Sequence, residues 1–265
     1  MKTKLLSIAL LSSLLLSTHA QDEVYSNIVG MYKVPKIEGG LQLLGVSLGK
    51  NTTLSQLIDL DKFKGDVFTI NADQLISYNA QTQSYVTYAK YDDSEYVQDS
   101  TIAWRLFTDF TGENLDPVLP PGSAVFIRAV EGDADDIIVA GDVPLSENTT
   151  IEIVAGLQMM AAPYTAKIDL NSNAGFIESG ATGSVFTIDA DQIITWDSDT
   201  QSYVTYALYD ESAYVAENPV VEWRLFTNFN QSPAQPIEID VGSGFWYRAQ
   251  NEFSWVAINP YFDNL

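Results

Sequence analysis

The segment VFTINADQLISYNAQTQSYVTYAKYDDSEYV (67–97) returns as VFTIDADQIITWDSDTQSYVTYALYDESAYV (185–215), with 21 of 31 positions identical at a constant offset of 118. A chain that carries one pattern twice has to accommodate it twice, as two domains or as two halves of one. The repeat also sorts residues by role. A side chain that the fold needs should recur at its twin position, whereas a unique catalytic group need not.

Shorter matches extend the repeat in the same order. Gly40-Leu41-Gln42 pairs with Gly156-Leu157-Gln158, Trp104–Thr108 with Trp223–Thr227, and Gly122-Ser123 with Gly242-Ser243. The offset drifts by one or two residues, as it does when insertions fall in loops between retained strands. A unit of about 115–120 residues is far longer than a solenoid repeat and has room for its own core. This predicts two tandem homologous domains, 21–136 and 137–265, joined at the polar run Glu131–Asp136; a single domain with a pseudo-twofold axis is the alternative.

The local pattern predicts strands. Val67–Ile70, Ile76–Tyr78 and Ser84–Tyr88 are β-branched and aromatic, and Tyr85, Thr87 and Ala89 alternate with Val86, Tyr88 and Lys90. The Asx-containing links 79–82 and 197–200 read as hairpin turns. Leu41–Val46, Ala103–Phe107 and Ala124–Arg128 are further strands, and Leu54–Phe63 reads as a short helix capped from Asn51–Thr53. The fold class is mainly β: two sandwich-like or small-barrel domains with at most short helices.

Residues 1–20 read as a secretory signal. Lys2 and Lys4 precede the apolar run Leu5–Leu16, and a small-residue approach to cleavage ends at Ala20. The expected location is therefore secreted, periplasmic or at the cell surface. The formal charge of −22 repels phosphate backbones, which argues against nucleic-acid partners. No later stretch is apolar enough for a transmembrane helix. There is no cysteine, and the single histidine, His19, belongs to the signal. That removes histidine-dependent triads, cysteine nucleophiles and the usual zinc sites from the mature chain, and the chain is expected not to be an enzyme.

The remaining candidates each have a structural reading beside the functional one. The four arginines form two twin pairs, Arg105 with Arg224 and Arg128 with Arg248. They read as structural, held by Asp92 or Asp210 or stacked on Trp104 or Trp223. Asp189, Asp191, Asp197 and Asp199 have the D-x-D spacing of calcium ligands, and calcium is the one cofactor the sequence suggests. Asx turns account for the same acids. The twin carboxylates Asp73/Asp191, Asp92/Asp210 and Asp93/Glu211 keep glycoside hydrolysis open as the enzymatic alternative. Trp196 replaces Tyr78, and Phe245-Trp246-Tyr247 replaces Val125-Phe126-Ile127. The second copy is thus the more aromatic, and Trp196, Trp246 and Tyr247 with Asp197 and Asp199 form the expected ligand-contact set.

The order GLQLLGVSLG (40–49) or GLQMMAAPYT (156–165), then a Tyr-rich hairpin, then GSAVFIRA (122–129) or GSGFWYRA (242–249), resembles tandem β-rich modules of exported planctomycete- and verrucomicrobia-type bacterial proteins. The resemblance implies an exported β-module and brings no catalytic residue with it. Together these readings predict a surface, matrix or interaction protein. A carbohydrate- or polymer-binding protein is the second reading, with a polysaccharide or another surface protein as partner.

Overall fold

A computed structural model describes residues 28–49, 53–130 and 136–262. The expected signal and residues 131–135 of the expected junction lie outside the described residues. The strands are β1 (Val29–Val34), β2 (Leu41–Gly45), β3 (Gln74–Asn79), β4 (Ser84–Asp92), β5 (Ile102–Leu106), β6 (Ala124–Arg128), β7 (Ile137–Asp142), β8 (Asn148–Ile153) and β9 (Gly156–Ala161). They continue with β10 (Ile168–Asp169), β11 (Gln192–Asp197), β12 (Ser202–Asp210), β13 (Val221–Leu225), β14 (Glu238–Ile239), β15 (Gly244–Ala249) and β16 (Phe253–Ile258). A single turn of helix, α1 (Leu54–Leu57), opens with a capping box between Thr53 and Gln56. The fold is mainly β, as the residue pattern predicts.

Each copy builds a five-stranded antiparallel sheet in matching order, β2-β6-β3-β4-β5 and β9-β15-β11-β12-β13. A two-stranded ribbon accompanies each sheet, β1-β7 in the first copy and β8-β16 in the second. The first ribbon moves the junction. β7 pairs with β1 along its whole length, and Ile137 and Val139 join the first copy's core beside Leu75, Trp104 and Ile127. The first copy therefore runs to Asp142, past the boundary expected at 136. The acidic run at 131–136 misled because it lies inside one copy, between β6 and β7, where a polar loop is also expected.

A second correction concerns 67–70. The apolar content of Val67–Ile70 reads as strand, but Thr69–Asn71 and its twin Thr187–Asp189 form 3-10 turns whose hydrophobic side chains face water. Likewise, the helix expected over 54–63 stops at Leu57 and resumes only as a short turn at Leu60–Lys62.

Period-2 alternation divides each sheet between two apolar layers. Leu44, Leu75, Val125 and Ile127 face the first copy's own core, and Ile193, Phe245 and Tyr247 face the second's. The interleaved residues Leu43, Phe126, Met159 and Trp246 meet in a third layer shared by both copies. Burying side chains of this size contributes about 1.5–3 kcal/mol each. The copies are thus held together by a core of their own.

Candidate functional site

The β3–β4 hairpin and its twin show why the Thr-Gln-Ser-Tyr-Val-Thr-Tyr segment recurs. Asn79 Oδ1 accepts from the N–H groups of Gln81 and Thr82, and Asp197 Oδ1 does the same for Asp199 and Thr200. Each turn then needs a residue with positive φ, normally glycine, and both copies place glutamine there: Gln83 and Gln201, each at φ 51°. The strain serves the other copy. Gln83 Nε2 donates to Leu157 O at 2.8 Å, and Leu157 N–H donates back to Gln83 Oε1 at 3.1 Å. Gln201 repeats the arrangement on Leu41, at 3.0 and 2.9 Å. Each side-chain amide mimics a strand and caps the edge of the opposite sheet. Gly156 and Gly40 precede the clamped leucines because a Cβ on either would crowd the incoming amide. The contact is reciprocal, as in an isologous dimer interface built within one chain.

Around this seam lies an aromatic cluster. Tyr78 packs edge-on against Trp246 at 4.9 Å and Tyr85 at 5.1 Å, and Trp196 packs against Tyr203 at 4.6 Å and Phe126 at 5.8 Å. The expected ligand-contact set is therefore corrected. Trp246 is 5% exposed and belongs to the shared layer, while Tyr247 is fully buried in the second copy's core. Trp196 is half-buried and donates its indole N–H to Leu41 O at 2.8 Å. These rings fill the protein because the inner face of a sheet, once covered by a second sheet, demands large apolar side chains.

The expected calcium acids do not converge either. Asp191 is buried and accepts from Thr182 N–H, Gln250 N–H and the Tyr247 hydroxyl. Burial pushes its carboxyl above the usual carboxylate range, against the pull of those donors and of Arg248. Asp197 holds its hairpin turn and, through its bonds to Thr200, sits below that range. Asp189 ends an exposed 3-10 turn, and Asp199 is exposed in the hairpin. Among the described residues, no group of three or more acids gathers for a metal.

Its twin Asp73 has a different partner. It accepts from Lys64 and Val130 N–H, and Lys36 Nζ lies 2.8 Å away with both side chains fully buried. The other twin carboxylates pin loops. Asp93 and Glu211 accept from Tyr91 and Tyr209 and from backbone N–H groups across their loops, and Asp92 and Asp210 accept from Ser94 and Ser212.

The arginines of β5 and β13 hold structure, though on a different ring from the one expected. Arg105 stacks on Tyr91 at 3.7 Å and Arg224 on Tyr209 at 3.5 Å, and each donates to a loop carbonyl, Phe110 O or Phe229 O. Arg128 ends β6 opposite Gln74 and Leu41, and Arg248 sits opposite Gln192 and Leu157 in the matching register.

Two features stand outside the expected ligand-contact set. The first is a set of apolar residues that recur yet stay exposed: Phe68 with Phe186, Ile70 with Ile188, and Tyr96 with Tyr214. Phe68 is 61% exposed and Ile188 is 69% exposed. The second is a groove of about 540 Å³ at the seam, where Tyr78, Asn79 and Gln81 of the first copy meet Glu152, Gln158 and Met159 of the second. No family model, curated protein or solved structure matches the chain, so the functional reading rests on this geometry.

Proposed function

We propose that this chain is an exported, non-enzymatic interaction protein that presents one contact surface twice. Export rests on the signal-like residues 1–20 and agrees with the resemblance to exported bacterial β-modules. The carrying observation is recurrence without burial. Buried twins are explained by the fold and seam twins by the clamp, but Phe68/Phe186, Ile70/Ile188 and Tyr96/Tyr214 are retained while facing water. Single exposed apolar residues are ordinary; the same set in both copies is a surface kept for contact. The chain that carries it has a formal net charge of −22. The complementary partner offers apolar side chains among cationic groups, in repeated units.

The test uses the full chain and a synthetic Lys/Leu peptide, as a single unit and as a flexibly linked tandem. Avidity predicts at least about a hundredfold tighter binding of the tandem when the linker spans both surfaces. Phe68→Ser with Ile70→Ser should abolish that gain, and the matching pair at 186 and 188 should then abolish binding. Equal affinity for single and tandem peptide at every linker length, or full binding by the fourfold variant, would overturn the reading. Neutral carbohydrate remains as the second reading, favoured by the groove.

A further inference from the structure

The two copies differ where their equivalence matters most. β3 pairs with β6 only over Gln74–Ile76, so the ladder ends before Ser77 and Tyr78 can pair with Val125 and Ala124, which stand opposite them in the register. In the second copy the matching ladder between β11 and β15 continues one residue further, through Thr195. The gap left beside Ser77–Asn79 is the seam groove, closed from the far side by Glu152 and Gln158.

The pseudo-symmetric counterpart of this groove carries larger side chains. Ile151 lies against Gly122, whereas Tyr32 lies against the twin Gly242. Tyr78 is replaced by Trp196. Both replacements spend their polar atoms on the protein, Tyr32 on Gly45 O and Trp196 on Leu41 O. Asn79 and Gln81 become Asp197 and Asp199. The substitutions that distinguish the copies thus leave a groove with neutral side chains at Tyr78, Asn79 and Gln81 on one side of the seam and place bulk and charge at the matching positions on the other.

We propose that the open groove binds a segment of an uncharged carbohydrate. Tyr78 and Tyr88, from opposite faces of the β3–β4 hairpin, both line the groove, so either ring can meet the apolar face of a sugar, and Met159 adds an apolar contact. Asn79 Oδ1 is occupied by its turn, which leaves its amide N–H groups for a ligand. Gln81 is exposed at the rim, and the Tyr78 hydroxyl donates to Gln83, so its oxygen accepts. Neutral donors and acceptors around aromatic surface match hydroxyl groups rather than charge. No lysine or arginine lines the groove, and its single carboxylate, Glu152, is bonded to Ser254. An anionic ligand would meet no counter-charge there on a chain of net charge −22. A purely apolar ligand would bury the amides without partners.

This site is independent of the duplicated contact surface, and its test separates the two. The full chain is titrated with neutral hexasaccharides of β-1,4-glucan, β-1,3-glucan, α-1,4-glucan and β-1,4-linked N-acetylglucosamine. Calorimetry and the fluorescence of Trp246, which touches Tyr78, report binding. At least one sugar should saturate with a Kd below about 1 mM. Tyr78→Trp, which copies the second copy's side chain, should weaken it at least about tenfold. The double variant Asn79→Asp, Gln81→Asp, which copies the second copy and keeps the turn's hydrogen bonds, should weaken it similarly with an unchanged melting temperature. Phe186→Ser with Ile188→Ser should leave it unchanged, so each proposal can fail alone. No saturation by any neutral sugar up to about 10 mM, a preference for polygalacturonate, or undiminished binding by both groove variants would overturn the proposal.

Discussion

Replacing either clamping glutamine by alanine tests whether the strained hairpins exist to join the copies. Gln83→Ala removes the amide that donates to Leu157 O and accepts from Leu157 N–H, a pair of bonds at 2.8 and 3.1 Å, together with its exposed bonds to Ala80 O and the Tyr78 hydroxyl within its own hairpin. A net hydrogen bond contributes about 0.5–1.5 kcal/mol, so the pair contributes about 1–3 kcal/mol. Alanine keeps the positive φ and recovers none of the strain, whereas glycine recovers about 1 kcal/mol of it. Gln83→Ala should therefore destabilise by about 2 kcal/mol, and Gln83→Gly by about 1 kcal/mol. Gln201→Ala should cost less, about 1 kcal/mol, because Leu41 O retains the donor Trp196 Nε1 at 2.8 Å while Leu157 loses its partner outright. Urea unfolding at constant m-value reads the three differences, and heating should show losses of about 2–4 °C per kcal/mol. If glycine proves as damaging as alanine, or the Gln201 variant the worse of the two, the clamp does not work as described.

Further outcomes follow from the buried acids. Lys36→Met leaves Asp73 buried without its ion-pair partner and should cost about 3–5 kcal/mol. Adding Ile127→Tyr, which copies Tyr247 over Asp191, should restore part of that loss in urea unfolding; no recovery would mean the two copies solve the burial differently. Asp191→Asn sets an amide against three donors and should destabilise by about 1–3 kcal/mol at neutral pH. Because burial raises the folded carboxyl's pKa above its unfolded value, the wild type takes up a proton on folding in the window between them. Its stability relative to Asp191→Asn should then increase as pH falls through that window toward the unfolded value. A gap that narrows on acidification would contradict the burial of Asp191.

The chain by itself determined the duplication, the β-class and the hairpins, because these rest on local rules: period-2 alternation, Asx turns and a repeat that any fold must honour. It also marked Tyr78, Asn79 and Gln81 as positions where the copies part. It could not say that Trp196 and Trp246 face the other copy, since an aromatic on an alternating strand reads alike whether water or a second sheet covers it. Nor could it show that Phe68 and Ile70 stay exposed, or that Gln83 holds a leucine 74 residues away. The boundary failed for the same reason, as only pairing with β1 assigns β7 to the first copy. Which face a side chain meets is decided by long-range packing of one sheet on another, and that packing turned a list of twins into a seam, a clamp and one open groove.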